Sequence, residues 1–186
     1  MSDSKEIASG ISLVAEPFME DPNFKHTIVL LCHKTVDGAF GFVLNKPTAI
    51  KVTEALDDFP SEDFMLYEGG PVEKDTIHFI TTRGDIIEGS KEVAKDLYWG
   101  GDFEKLKLLI DTKQVSPDEV KFFIGYSGWD AGQIEDEMEM KSWILSPVKS
   151  EFVFEEDTMK AWRNVLLNLG EQYKFIANIP EDPSLN

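Results

Sequence analysis

Only one cysteine, Cys32, occurs in the 186 residues. No internal disulfide can form, stability must come from packing, and a reducing compartment is the natural setting. Arginine is nearly as scarce, at Arg83 and Arg163 alone. Lys and Arg together number 18 against 35 Asp and Glu, a formal charge of −17, and no two basic residues are adjacent. Nucleic-acid binding draws on clustered cations that displace counterions from phosphate, so direct contact with DNA or RNA is not expected, nor is attraction to anionic lipid. Long apolar runs are missing too. The longest, Ile28–Cys32, is far too short to span a bilayer, and the first ten residues, MSDSKEIASG, lack the apolar stretch of a secretory signal. The expectation is a cytoplasmic protein with no membrane association.

What is present suits a single globular domain over 1–186. Hydrophobic residues make up 42% and charged residues 28%, and thirteen Phe with four Trp supply bulky core material. Residues 10–15 (GISLVA) read as a first strand, ended by Pro17 and the Asp21-Pro22-Asn23 turn signal. Residues 27–34 and 39–45 are apolar runs on either side of Thr35-Val36-Asp37-Gly38, the pattern of an antiparallel hairpin. Further strands are predicted over 64–67, 76–81 and 121–126, with weaker ones over 143–145, 151–154 and 173–176. Helices are predicted over 103–113, with Asp102 as N-cap, over 130–140, opening with Asp130-x-x-Gln133, and over 158–169, stopping at Gly170. Met159, Trp162, Val165, Leu166 and Leu169 share one face of the last helix. Strands outnumber helices and do not alternate with them, so the fold class is α+β. Leu66-Tyr67-Glu68-Gly69-Gly70 echoes Leu97-Tyr98-Trp99-Gly100-Gly101, and both read as strand-to-turn junctions.

No constellation specifies a reaction. The segment Gly125 to Glu137 (GYSGWDAGQIEDE) looks like a glycine-rich turn between a strand and a helix, where phosphate cradles are built. It contains no Lys or Arg, and the Asp130 carboxylate at the helix start would repel a phosphate. Ser127 lacks the glycine two residues later that a nucleophile elbow requires, since Trp129 stands there. Glu135 and Glu139 lie one helical turn apart, but nine acids against Lys141 and Lys149 between 130 and 157 make that stretch a solvated acidic face and a docking surface for a basic partner. Cys32 and His33 are strand neighbours pointing to opposite faces, and no His pair has zinc-ligand spacing, so no metal and no cofactor are expected. Cys32, inside an apolar run without cationic neighbours, reads as a buried structural thiol.

These motifs together resemble the YqgE/AlgH family of bacterial proteins over nearly the whole chain. The resemblance rests on Gly10-x-x-Leu13-x-Ala15-x-Pro17, Phe24, Gly38-x-x-Gly41-x-x-x-Asn45-x-Pro47, Gly69-Gly70-Pro71, the block Gly125 to Glu137 and Trp143. Departures from the family pattern fall at His26, where a basic residue is common, and at Tyr98 to Asp102. The resemblance implies an α+β fold whose bifurcated, mainly antiparallel sheet forms a pseudo-barrel with flanking helices. Some members carry a transcriptional-regulator label, with no activity established. The expected function is non-enzymatic binding or regulation through a protein partner or small ligand. Its candidate surface comprises Asn45, Gly69, Gly70, Pro71, Ser127, Gly128, Trp129, Gln133 and Glu135, with Trp129 as an aromatic platform. A hydrolase or transferase at the same surface is the alternative.

Overall fold

The computed structural model describes residues 6–60, 63–154 and 158–177. The polar tail at 181–186 lies outside the described residues. In chain order the first strands are β1 (Ile11–Ala15), β2 (Ile28–Thr35), β3 (Gly38–Val43), β4 (Pro47–Lys51) and β5 (Met65–Glu68). They are followed by β6 (Val72–Thr81), β7 (Lys91–Ala94), β8 (Leu97–Trp99), β9 (Val120–Asp130) and β10 (Trp143–Pro147). The helices are α1 (Val52–Ala55), α2 (Phe103–Asp111), α3 (Gln133–Glu139), α4 (Ser150–Val153), α5 (Thr158–Leu169) and α6 (Lys174–Ala177), with a 3-10 turn at Glu171–Tyr173.

The main sheet runs β10-β1-β2-β3-β9-β6-β8-β7 and every pairing along it is antiparallel. The sheet curls into a half-barrel. At the closing side Gly10 lies so near β7 that a Cβ on it would overlap the Val93 carbonyl oxygen. The β2–β3 hairpin is as the sequence suggests: Thr35 pairs with Gly38 across the two-residue loop Val36-Asp37, and Gly38 takes φ 146°.

The sheet forks at β9. Residues 127–130 of β9 pair with β3, whereas residues 122–124 of the same edge pair in parallel with β5, which also holds β4. The other edge pairs with β6 from Val72↔Tyr126 to Thr81↔Val120. Between the two halves Gly125 adopts φ 69°, which only glycine takes without cost. Around that residue β9 changes partner, and the two adjacent rings before it serve different cores. Phe123 joins Leu30, Phe42, Ile80 and Leu97 inside the half-barrel, closed by Trp162, Val165 and Leu166 of α5. Phe122 joins Phe59, Phe64 and the Leu106, Leu109 and Ile110 stripe of α2. A third cluster gathers Leu13, Leu31, Trp129, Ile134 and Trp143. Each fully buried Phe contributes about 1.5–3 kcal/mol relative to exposure, so these clusters stabilise a chain that has no cross-link.

The predicted start of α2 holds, with Asp102 Oδ1 accepting from Lys105 N at 3.0 Å. On α5, Trp162, Val165 and Leu166 are buried and Leu169 packs against them, while the side chain of Met159 lies outside the described residues. Three sequence expectations are corrected. Residues 151–153 and 173–176 are helical, not extended, and Phe154 caps α4: that helix buries Val153 alone, and the 3-10 turn leads directly into α6. Runs of four residues carry too little periodicity to separate the two states. The segment after Tyr126 is not a glycine-rich turn, because Ser127 to Asp130 continue β9 under pairing from β3. Helix α3 accordingly starts three residues later than predicted, with Gly132 at φ 80° as its N-cap and not Asp130. Strands β4 and β7 went unread, being short and mostly charged or exposed, while β8 is the strand side of the junction read at Leu97 to Gly101.

Candidate functional site

The residues of the sequence motifs separate into three groups. The first sits at the fork. Gly69 N donates to Ile124 O at 2.9 Å, and Gly69 O accepts from Val43 N at 2.8 Å and from Ser127 Oγ at 3.0 Å. One glycine thereby links β3, β5 and β9. A Cβ on Gly69 would overlap the Gly125 carbonyl oxygen, and one on Gly70 would overlap the Tyr126 carbonyl. Asn45 extends the β2–β3 pairing beyond the end of β3, its Oδ1 accepting from Ile28 N at 2.8 Å and its Nδ2 donating to His26 O at 2.9 Å. Ser127 is wholly buried, with its hydroxyl proton given to Gly69 O. Pro71 lies beside the fork and is exposed.

The second group is a clamp. Trp129 is not an exposed platform: it is buried, stacked near Phe24 and edge-on to Trp143. Its Nε1 donates to Glu137 Oε2 at 3.0 Å, and Trp143 Nε1 donates to the same oxygen at 2.7 Å. The other oxygen, Oε1, accepts from Gln133 Nε2 at 2.9 Å, while Gln133 Oε1 accepts from Asp130 N at 3.0 Å. Gln133 thus reaches back to the strand as the capping-box spacing predicts, and Glu137 is the acceptor that sequence reasoning missed. Two tryptophans and an i, i+4 Gln–Glu pair were its available signal. Glu135 points away from this network, and the Lys34 ammonium at 2.8 Å holds its carboxyl below the usual range.

The third group lines a cleft of about 590 Å³ at the hairpin end of the half-barrel. Gly128, Trp129 and Gln133 contribute to it, whereas Asn45, Gly69, Gly70, Pro71, Ser127 and Glu135 do not. Most of its wall was not anticipated. Phe40 of β3 is the central ring, 4.7 Å from Trp99 of β8 and 6.2 Å from Tyr126 of β9, edge-on to both. His78 of β6 stands edge-on to Tyr126 at 6.0 Å, and His33 of β2 lies 6.0 Å from Phe40. Burial lowers the His78 pKa below its ordinary 6.5, against the opposing pull of Glu73. Strand register explains the opening. Phe40 faces Gly128 and Gly38 faces Asp130, so two residues without side chains leave a depression between the rings and the Asp130 carboxylate. Asp37 and Asp130 are the charged side chains of the lining, and neither forms an ion pair among the described residues. The Trp99 indole N–H is buried with no acceptor among the described residues, at a cost of about 1–3 kcal/mol.

A forked, mainly antiparallel half-barrel with helices packed on it is an α+β domain, and here it carries an aromatic cleft lined from β2, β3, β6, β8 and β9. The pattern of the DUF179 family, described as AlgH-like, matches residues 12–174. The chain belongs to this AlgH-like family. It is 45% identical over 177 residues to the UPF0301 protein CT0663 of Chlorobaculum tepidum, covering 95% of each chain. It is 40% identical over 181 residues to a UPF0301 protein of Cytophaga hutchinsonii, covering 97% of this chain and all of that one. Among solved structures, the solution structure of the AlgH protein from Pseudomonas aeruginosa superposes with TM-score 0.72 at 26% identity, covering 98% of this chain and 100% of that one. The crystal structure of protein DIP2367 from Corynebacterium diphtheriae gives TM-score 0.77 at 21% identity, covering 94% of both chains, a likeness of fold.

Proposed function

We propose that this chain is a non-enzymatic binding protein of regulatory use, which captures a protein segment or small ligand in the aromatic cleft and makes no direct contact with DNA. The observation that carries this reading is the convergence of Phe40, Trp99, Tyr126 and His78, from four different strands, on one open cleft. Rings left half-buried at a concave surface are what binding sites offer, and this cleft lies within the size range of ligand pockets.

Two hydroxyl groups near the cleft, those of Ser127 and Thr76, are already committed, which speaks against their use in the hydrolase or transferase alternative. Ser127 spends its proton on Gly69 O inside the fork. Thr76 Oγ1 donates to Glu73 O at 2.8 Å, so in its 3.0 Å contact with His78 Nε2 the imidazole must be the donor. A histidine that donates to a hydroxyl is not its general base. The charge of −17 and the cleft's own carboxylates speak against a phosphate backbone as the occupant.

The test is a fragment screen by NMR on wild-type protein and on Gly128→Leu, with a mobility-shift assay on random duplex DNA in parallel. Gly128 is exposed, and a Cβ there meets Tyr126 Cε2 at an ordinary 3.4 Å, so leucine fills the cleft without breaking the strand. Aromatic fragments should shift the Phe40, Trp99 and Tyr126 signals in wild type and lose that effect in Gly128→Leu. Hits scattered over the surface and indifferent to the substitution, or salt-sensitive duplex binding, would overturn the reading.

A further inference from the structure

We infer that the cleft receives an arginine side chain presented by a basic, extended segment of a partner protein; this rests on the binding reading above and names its occupant. The register of β3 and β9 puts Tyr126, Gly128 and Asp130 on the same sheet face as Gly38 and Phe40, so ring faces and a carboxylate border one depression. Asp37, in the hairpin loop, adds a second carboxylate at the rim. A guanidinium suits both parts, because its plane stacks on aromatic rings while its N–H fork meets a carboxylate. Trp99 already draws a cation of its own chain, with Lys91 Nζ 5.5 Å from its ring centroid. His78, held neutral at neutral pH by burial, adds no opposing charge.

Two further observations select a protein segment over a free organic cation. The indole N–H of Trp99 lacks an acceptor among the described residues, and a bound segment whose backbone carbonyl reached it would supply one. A bare guanidinium has no acceptor to offer. The charge of −17 also steers basic chains toward the protein from beyond contact range, an effect that grows with the partner's charge.

The experiment titrates the protein with N-acetyl-arginine N-methylamide, its citrulline counterpart and butylguanidinium, followed by ¹H–¹⁵N spectra at low salt. The arginine amide is expected to shift the Trp99 indole signal and to bind about tenfold more tightly than citrulline, which keeps the shape and loses the charge. Asp37→Asn together with Asp130→Asn should weaken it about fivefold, and Gly128→Leu should abolish it. Trp99→Phe should bring the amide down to the affinity of butylguanidinium. Citrulline binding equally well would sink the arginine assignment while leaving the cleft a binding site. Butylguanidinium binding as tightly as the amide would replace the protein partner with a free organic cation, overturning the inference. If no arginine probe binds but aromatic fragments still do, the inference fails alone; if neither binds, the binding reading fails with it.

Discussion

Replacing Glu137 with alanine removes a single carboxylate on which three side chains converge. Its Oε2 accepts from Trp129 and Trp143 at 3.0 and 2.7 Å, and its Oε1 accepts from Gln133 at 2.9 Å. Both indoles belong to residues that are at most 5% exposed, so little water can take the place of the lost acceptor. A buried donor left without a partner costs about 1–3 kcal/mol, and two of them, reduced for the half-buried position of Glu137, give ~3 kcal/mol. For a domain of this size each kcal/mol lowers the melting temperature by roughly 2–4 °C, so Glu137→Ala should melt ~6–12 °C below wild type. Glu137→Gln should lose less, about 1 kcal/mol, because one amide oxygen can still accept from both indoles. Gln133→Ala, which leaves both indole bonds intact, should cost a similar ~1 kcal/mol through the lost Asp130 bond. Thermal unfolding followed by near-ultraviolet circular dichroism reads the tryptophan environment and the stability together. A Glu137→Ala protein that melts with wild type, or a Trp143→Phe change that costs as much in the Glu137→Ala background as in wild type, would refute the clamp.

Burial raises the Cys32 thiol pKa well above its ordinary value, so the native protein should resist thiol reagents at neutral pH, and Cys32→Ala should cost about 1 kcal/mol; rapid native labelling would contradict this. Gly69→Ala, whose new methyl would overlap the Gly125 carbonyl oxygen, should destabilise by ~3 kcal/mol or more, and a variant that refolds with wild-type denaturation midpoint would place the fork's tolerance elsewhere. The native pKa of His78 lies below its ordinary 6.5, so as pH falls through that value the unfolded chain takes the proton first. Its contribution is therefore undiminished above about pH 6.5 and is lost as pH falls from there to the lower native value; denaturation midpoints of wild type relative to His78→Asn should be level above pH 6.5 and decline below it, and a difference that stays level on acidification would contradict this.

Much of the fold was legible where one segment carries its own instruction. The Asp37-Gly38 hairpin, the Asp102 cap and the stripe of α5 are local, and each stands where the residues suggested. The cleft was not legible, because Phe40, His78, Trp99 and Tyr126 meet only through pairings of β3, β6, β8 and β9 that span up to 92 residues of chain in the register Gly38↔Asp130 to Ile80↔Trp99. The block from Gly125 to Glu137 drew attention for a sound reason and was assigned a partly mistaken role. Gly125, Ser127 and Trp129 serve the fork and the clamp, and Gly128, Asp130 and Gln133 are its exposed members that reach the cleft. Period-two alternation fails across Gly125, where the backbone turns left-handed and the strand resumes with another partner, so a strand looked like a turn.

Strand β9 also sets the order of events during synthesis. Strands β3, β5 and β6 all take an edge from it, yet it emerges from the ribosome after the last of them by some forty residues of chain (Thr81 to Val120). Until then the β2–β3 hairpin and the β4–β5 pair exist with open edges and no shared neighbour, and neither core that flanks β9 has its central phenylalanine. A nascent chain ending before Val120 therefore exposes unpaired strands to other chains, whereas a further eleven residues join both halves of the sheet in one step.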